Sequence, residues 1–121
     1  MAKTDQLRQS VYDCFYESSV TGALAILAQP PGKVPREDWV RLSHWYHGLP
    51  EADVQAVRDL VALAASLAVF NMCVALDQLD RVIEDDDLIL SAASTGEDLN
   101  PARNLHAWFR DEMLRRGGNA I

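Results

Sequence analysis

The stretch "LVALAASLAVFNMCVAL", residues 60–76, is the strongest structural signal in the chain, because it holds 17 consecutive uncharged and mostly apolar residues. Upstream, Pro50, Glu51 and Asp53 have the composition of a first helical turn, where proline lacks only an unneeded N–H and acidic groups complement the helix dipole. No glycine or proline follows until Gly96. The pattern therefore predicts one long helix over residues 51–84.

This long helix is predicted to be the core helix of a soluble domain and not a membrane span. Its apolar run is shorter than the ~20 residues that cross a bilayer, and Asp59 and Asp77 flank it instead of Lys or Arg. The first residues, "MAKTDQLRQS", have no apolar run of the length that a secretory signal needs. We therefore expect a cytoplasmic protein that does not bind membranes.

The length of the predicted helix raises the question of a second copy of the chain. A straight helix of about 34 residues would be about 50 Å long, whereas a compact domain of this size is about 35 Å across. Either the helix bends, with the polar Asn71 as the site, or it projects and packs against another molecule. A structural or regulatory homodimer through this apolar helix is therefore one predicted state.

The residues before the long helix predict shorter helices. A helix capped by Thr4 runs to about Ser18, and a second one, separate from or continuous with the first, runs to Ala28. A third helix follows the start signal of Pro35 and stops at Gly48.

The residues after the long helix predict a non-helical excursion and a final helix. Residues 88–99 combine a short β-favouring run with turn residues, which is typical of a small hairpin or irregular loop. Asn100 and Pro101 then predict the start of a helix over 101–116. The fold class is therefore mainly α: a single domain over residues 1–121, with four to five helices around the long central one.

Composition excludes several function classes. The net charge of −7 argues against nucleic acid, because affinity for phosphates comes largely from Lys and Arg. Cys14 and Cys73 lie in apolar, helix-like contexts without metal-binding spacing, so we predict buried thiols in a reducing compartment. His44 and His47 lack further ligands nearby, and neither GxGxxG nor a P-loop occurs. No cofactor is expected.

The most unusual segment is "LDQLDRVIEDDD", residues 76–87, where six carboxylates and Arg81 supply five of the seven net negative charges. On a helix, Asp77, Asp80 and Glu84 would share a face, and Arg81 would reach Asp77 or Glu84. The helix dipole disfavours negative charge at this end, so local stability does not select the arrangement. A solvated helix end, a surface for a basic protein partner and a divalent metal site are three open explanations.

Two of these explanations name functional residues. A partner-binding acidic face would consist of Asp77, Asp80, Glu84, Asp85, Asp86 and Asp87. A small Mg²⁺- or Mn²⁺-dependent hydrolase would instead use Asp77, Asp80 and Glu84, as carboxylates three or four apart do in all-α nucleotide pyrophosphohydrolases. The second acidic pair on a facing helix is missing here, so no metal is favoured. If Asn71 and Asp77 are buried, each needs a hydrogen-bond partner, and their role is to fix helix packing.

A family resemblance covers about residues 49–110. "LPEADVQAVRDLVALAASLAVFNMCVALDQLDRVIED", followed by "NLHAWF", resembles small bacterial all-helical proteins of unknown function. They share a Pro-Glu-initiated long helix with an acidic end, a short β-like excursion and a Leu-His element. Small acidic proteins of this kind are often immunity proteins of polymorphic toxins, and the resemblance transfers no catalytic residue. The expected function is a non-enzymatic protein-binding module, an immunity protein that neutralises a basic toxin through the acidic helix end.

Overall fold

A computed structural model describes residues 1–80 and 82–117, and the chain is mainly α-helical, as predicted. In chain order the helices are α1 (Lys3–Ser10), a π-helical segment (Val11–Glu17), α2 (Ser18–Ala28), α3 (Glu37–His47), α4 (Glu51–Leu76) and α5 (Leu105–Arg115). Because α1, the π-helical segment and α2 follow one another without a break, the described residues form four rods. The predicted bundle of four to five helices is confirmed.

The π-helical segment joins α1 and α2 at the place where the first two helices were predicted to meet. The π-helical segment carries the chain across this point, and the Ser18 hydroxyl donates to the carbonyl of Asp13, five residues earlier, at 2.9 Å. The predicted cap at Thr4 is wrong, because α1 already begins at Lys3 behind Ala2. Thr4 therefore lies inside the helix.

Helix α4 begins at Glu51, as predicted, but it ends at Leu76 and not at residue 84. Its 26 residues span about 39 Å, close to the ~35 Å width of a compact domain of this size, instead of the about 50 Å that the predicted helix would need. The helix continues unbroken through Asn71, whose side chain is exposed. Neither the predicted bend there nor a buried packing role for Asn71 is found.

The core lies where the π-helical segment and α5 pack against one side of α4. Its buried apolar side chains come from these three elements: Val11, Tyr12, Val69, Cys73, Leu105, Phe109 and Met113. Tyr12, Tyr16 and Phe109 pack as a group of rings, with the Tyr16 and Phe109 centroids 5.7 Å apart in an edge-to-face arrangement. α4 is therefore the central helix, as predicted.

Helix α3 covers the end of α2 through polar contacts. The Ser43 hydroxyl donates to the carbonyl of Leu27 at 2.7 Å, and the Nε2 atom of His47 donates to the carbonyl of Ala28 at 2.7 Å. The last carbonyls of a helix have no partner within it, so these side chains act as caps supplied by a neighbouring helix. His47 thus has a structural role in this arrangement.

Helix α5 begins at Leu105, four residues later than predicted. At its C-terminal end it is bound to the π-helical segment. Glu112 accepts hydrogen bonds from Arg115 and Arg116, and the bonds from these two arginines lower the pKa of Glu112 to about 2. The guanidinium of Arg116 also lies 4.0 Å from the ring centroid of Tyr12 and donates to Asp13 at 3.1 Å. One arginine therefore joins α5 to the π-helical segment.

The two cysteines differ in environment. Cys73 is buried, as predicted, and burial followed by the nearby charge of Asp77 raises the pKa of its thiol to about 12. Cys14 is exposed, so the prediction of burial is wrong there. The change to π-helical hydrogen bonding shifts which residues of the segment face inward, and Val11 and Tyr12 take the inward positions.

Residues 88–99 form a hairpin-like loop, in agreement with the prediction. A single isolated bridge joins Ser91 to Asp98, and no strand forms within the described part of the chain. The amide of Leu99 donates to the carbonyl of Leu90 at 2.9 Å, and the amide of Ala92 donates to the carbonyl of Glu97 at 2.9 Å.

By length and composition, α4 is the one helix among residues 1–80 and 82–117 that could cross a membrane. Core helices of soluble proteins satisfy the same two criteria.

A candidate protein-binding loop

Helix α4 ends in a hydrogen-bonded turn that no glycine or proline announces. The amide of Leu79 donates to the carbonyl of Val74, and the amide of Gln78 donates to that of Ala75, each at 3.1 Å. This pair of bonds is a Schellman motif, which requires a left-handed residue after the helix. Gln78 takes that conformation with φ 65°, at a cost of about 1 kcal/mol relative to glycine.

The carboxylate of Asp77, the residue that follows α4, binds the start of α5. It accepts from the backbone amides of Leu105 at 3.0 Å and His106 at 2.8 Å, from the Nδ1 atom of His106, and from the Nδ2 atom of Asn100 at 2.7 Å. The residue that should cap α5 locally, Asn104, makes no side-chain cap. Asp77 therefore caps α5 from another helix.

This buried network keeps Asp77 ionised. Burial by itself would raise the pKa of Asp77, but the hydrogen bonds from Asn100 and His106 outweigh burial and lower the pKa. Asn100 also donates to the carbonyl of Leu76 at 3.3 Å, so one amide holds both the last turn of α4 and the carboxylate. The role predicted for a buried Asp77, fixing how helices pack, is the role that these contacts describe.

The segment that follows α4 leaves the helix bundle and returns to it. The Nε2 atom of Gln78 donates to the carbonyl of Leu88 at 2.5 Å, which brings the two ends of the segment together. We name the described residues 79, 80 and 82–87 the acidic loop. A surface loop of this length with adjacent ends is an Ω-loop, a form that is frequently functional.

The acidic loop exposes both charged and aliphatic side chains. Its carboxylates, all exposed, are Asp80, Glu84, Asp85, Asp86 and Asp87. Leu79 and Val82 are each 64% exposed, Ile83 is also exposed, and so is Ile89, two residues after the loop. Carboxylates and large aliphatic side chains therefore share one surface next to the end of α4.

The predicted acidic face divides into two parts. Five of its six residues lie on the acidic loop, but the Asp77 side chain is 0% exposed and is not available to a partner. The prediction that Asp77, Asp80 and Glu84 share a helix face is also wrong, because the helix ends before all three. The predicted pairing of Arg81 with Asp77 or Glu84 lies outside the described residues.

The geometry behind the metal hypothesis is lost with that helix face. Among the residues that the structure describes, no group of three His, Cys, Asp or Glu side chains is placed to hold a metal ion. The Nδ1 atom of His106 is bound to Asp77, and the hydroxyl of Ser66 donates to the carbonyl of Leu63 at 2.8 Å. These polar groups serve the packing of α4 and α5.

The exposed aliphatic residues are the part of this surface that sequence reasoning missed. Leu79, Val82 and Ile83 have the spacing of a helix, and they lie within the helix predicted over residues 51–84. Once the chain leaves the helix at Asp77, these side chains have no core to enter. The sequence signal was present as apolar residues among many carboxylates.

A second surface feature is a cleft of about 490 Å³ beside the π-helical segment. Tyr12, Tyr16 and Arg116 line it, with Glu17 at its side. The guanidinium of Arg116 is already engaged by Glu112 and by the ring of Tyr12. The charge in this cleft therefore has an internal role.

No family model, no curated protein and no solved structure matches this chain. The resemblance to small bacterial helical proteins therefore stays a prediction, and function is argued from the acidic loop.

Proposed function

We propose that this protein is a non-enzymatic protein-binding module whose acidic loop contacts a basic protein partner. The observation that carries the proposal is the combination of exposed aliphatic side chains and carboxylates on one loop. Protein interfaces have this composition, with an apolar centre that is covered on binding and a polar rim. A loop that served only solubility would have no use for exposed Val82 and Ile83.

The anchoring of the loop supports a binding role. At its start, Asp77 is fixed by Asn100 and by the first turn of α5, and the side chain of Gln78 ties the start to Leu88. Ordering a loop on binding costs free energy, and a loop with fixed ends has less freedom to lose.

The charge of the loop defines the chemistry of the partner. Five exposed carboxylates within eight residues, on a chain of net charge −7, attract a positively charged surface and accelerate its association. The same field repels polyphosphates, which argues for a protein partner. The partner surface would carry Lys and Arg around an apolar contact for Val82 and Ile83.

The narrower proposal is a cytoplasmic immunity protein that blocks a toxin. A groove that handles phosphate is positive, so an acidic loop would cover it and exclude the substrate. This proposal predicts that a gene beside this one encodes a protein that arrests growth when expressed alone. Co-expression with the wild-type protein should restore growth.

The proposal is tested by neutralising the loop. In the loop variant, Asp80→Asn, Glu84→Gln and Asp87→Asn remove three carboxylates with little change in side-chain size. We expect at least a ~10-fold fall in the partner retrieved from the host by the tagged protein, because the attraction that speeds association is weakened. Retrieval by the wild-type protein should also fall as salt is raised.

A matched control separates the loop from net charge. The control variant Asp5→Asn, Glu37→Gln and Asp111→Asn removes the same charge from exposed positions on three helices. It should retain the partner within about 2-fold of wild type. Equal losses in both variants, or none in either, would contradict a role for the acidic loop.

The apolar centre gives an independent check. Val82→Ser with Ile83→Ser should lower retrieval while leaving the free energy of unfolding within about 0.5 kcal/mol of wild type, because both side chains are exposed. Val40→Ser, at an exposed position on α3, is the control. Unchanged retrieval by the double variant would remove the apolar contact from the proposal.

A further inference from the structure

Helix α4 buries one side and leaves the other uncovered. Its buried residues are Ser66, Val69 and Cys73, which face the core. On the opposite side Leu60, Leu63 and Leu67 are 62%, 52% and 40% exposed. Three leucines at i, i+3 and i+7 lie on one face of a helix, so they form a continuous apolar surface.

Small residues complete this surface, which we name the α4 stripe. Ala56, Ala64 and Ala68 are exposed on the same side as the three leucines. From Ala56 onward, the exposed polar residues on this side are Asn71 and, at its edge one turn before Leu63, Asp59. A stripe of leucine and alanine lets another helix approach closely and interdigitate with the leucines.

The accessible surface of the chain is large for its mass. It measures 7972 Å², whereas a compact monomer of 13.5 kDa exposes about 6,500 Å². The surplus of about 1,400 Å² exceeds the ~800 Å² that each partner covers in a stable complex. This surplus belongs to the whole surface, the acidic loop included, and covering the α4 stripe in a dimer would reduce it.

We propose that the α4 stripe is the interface of a homodimer, in which α4 packs antiparallel against α4 of a second copy. In this arrangement Leu60 meets the partner's Leu67, and the two-fold axis passes near Leu63 and Ala64. A parallel pair would instead place Asp53, two turns before Leu60 on the same side, beside its own copy. The antiparallel pair separates these like charges and satisfies the self-complementarity of a two-fold interface.

A second copy fits this surface better than a lipid bilayer does. The other side of α4 carries the buried Ser66 and leads into the ionised Asp77, and α5 with its charged residues packs against it. A bilayer would have to surround that side as well. In the proposed dimer the second copy covers the exposed stripe, while the buried side of α4 keeps its contacts with the π-helical segment and α5.

The mass in solution tests the dimer. At about 100 µM, sedimentation equilibrium should give twice the chain mass of 13.5 kDa for the wild type. Leu63→Glu with Leu67→Glu should give the single-chain mass and retain the helical circular dichroism, since neither side chain belongs to the core. Leu114→Glu, at a position 49% exposed on α5, is the control and should remain dimeric.

Cysteine cross-linking tests the orientation. In a Cys14→Ser background, a mixture of Leu60→Cys and Leu67→Cys chains should oxidise mainly to the mixed disulfide, as antiparallel packing requires. If disulfides formed mainly between two Leu60→Cys chains, the antiparallel arrangement would be wrong.

Three results would overturn the interface itself: a single-chain mass for the wild type, a dimer that persists in the Leu63/Leu67 variant, and flotation with phosphatidylcholine vesicles by the wild type but not the variant. The last would assign the stripe to lipid. None of these outcomes depends on the acidic loop, so the two proposals succeed or fail separately.

Discussion

Replacing Asp77 by alanine should destabilise the protein far more than replacing any acid of the loop that follows it. The Asp77→Ala variant leaves the backbone amides of Leu105 and His106 without their acceptor and removes one of the two acceptors of the Asn100 side-chain amide. An unpaired buried donor costs about 1–3 kcal/mol, and water can reach the partly exposed His106. We therefore expect a loss of about 3–5 kcal/mol from a total that is about 6–15 kcal/mol for a chain of this length.

The assay is urea unfolding followed by circular dichroism, at one fixed protein concentration because dimerisation would shift the midpoint. The melting temperature should fall by about 12–20 °C, at about 4 °C per kcal/mol. Asp80→Ala, three residues away on the exposed loop, is the control and should change stability by less than about 0.5 kcal/mol. A free energy of unfolding for Asp77→Ala within about 1 kcal/mol of that of Asp80→Ala would mean that the Asp77 network does not hold α4 to α5.

The same network predicts a pH dependence. The pKa of Asp77 is lowered by folding, so its charge stabilises the fold fully above the unfolded pKa near 3.9. That contribution is lost as pH falls through the lowered pKa of the folded state. Asp77→Asn keeps the shape but places an amide against the His106 amide, and we expect its deficit of about 2 kcal/mol at pH 7 to shrink below about pH 4.

Three further predictions concern other contacts. Gln78→Gly should relieve the strain of the positive φ but also remove the hydrogen bond that ties the start of the loop to Leu88. We therefore expect little change in melting temperature, but faster cleavage of the acidic loop by a glutamate-specific protease. Glu112→Gln should lower the free energy of unfolding by about 1–2 kcal/mol at pH 7. Because folding lowers the pKa of Glu112 to about 2, the difference between variant and wild type should disappear as the pH falls from about 4.5 to about 2, as measured by denaturation at a series of pH values. A thiol reagent should modify Cys14 at once and Cys73 only after unfolding, since the latter is buried with a pKa near 12.

Each of these has an outcome that would contradict it. Equal proteolysis of the wild type and the Gln78 variant would mean that this side chain does not close the loop. A Glu112→Gln deficit that persists at pH 2 would remove the carboxylate charge as its cause. Two fast-reacting thiols in the native protein would place Cys73 at the surface.

The parts of the fold that sequence predicted depend on local signals. The start of α4 at Glu51 follows from a proline and acidic groups in its first turn, and α3 ends at a glycine. The helical fold class follows from the long uncharged run and the apolar spacing around it. The sequence predicted an exposed acidic surface at the acidic loop, because five carboxylates lie close together in the chain and charged groups stay in solvent whether the backbone is a helix or a loop.

The tertiary structure alone decided where α4 ends and which acid is structural. Nothing near Asp77 in the sequence is a helix breaker, and its partners Leu105 and His106 are 28 and 29 residues away. The local sequence predicts that a helix starts at Asn100. In the structure the side-chain amide of Asn100 instead donates to Asp77, and α5 begins only at Leu105. Six acids of similar local context thus became one buried helix cap and five exposed charges. Their different roles arise because a carboxylate is stabilised by the donors that folding brings to it, and the order of residues along the chain does not show which donors those will be.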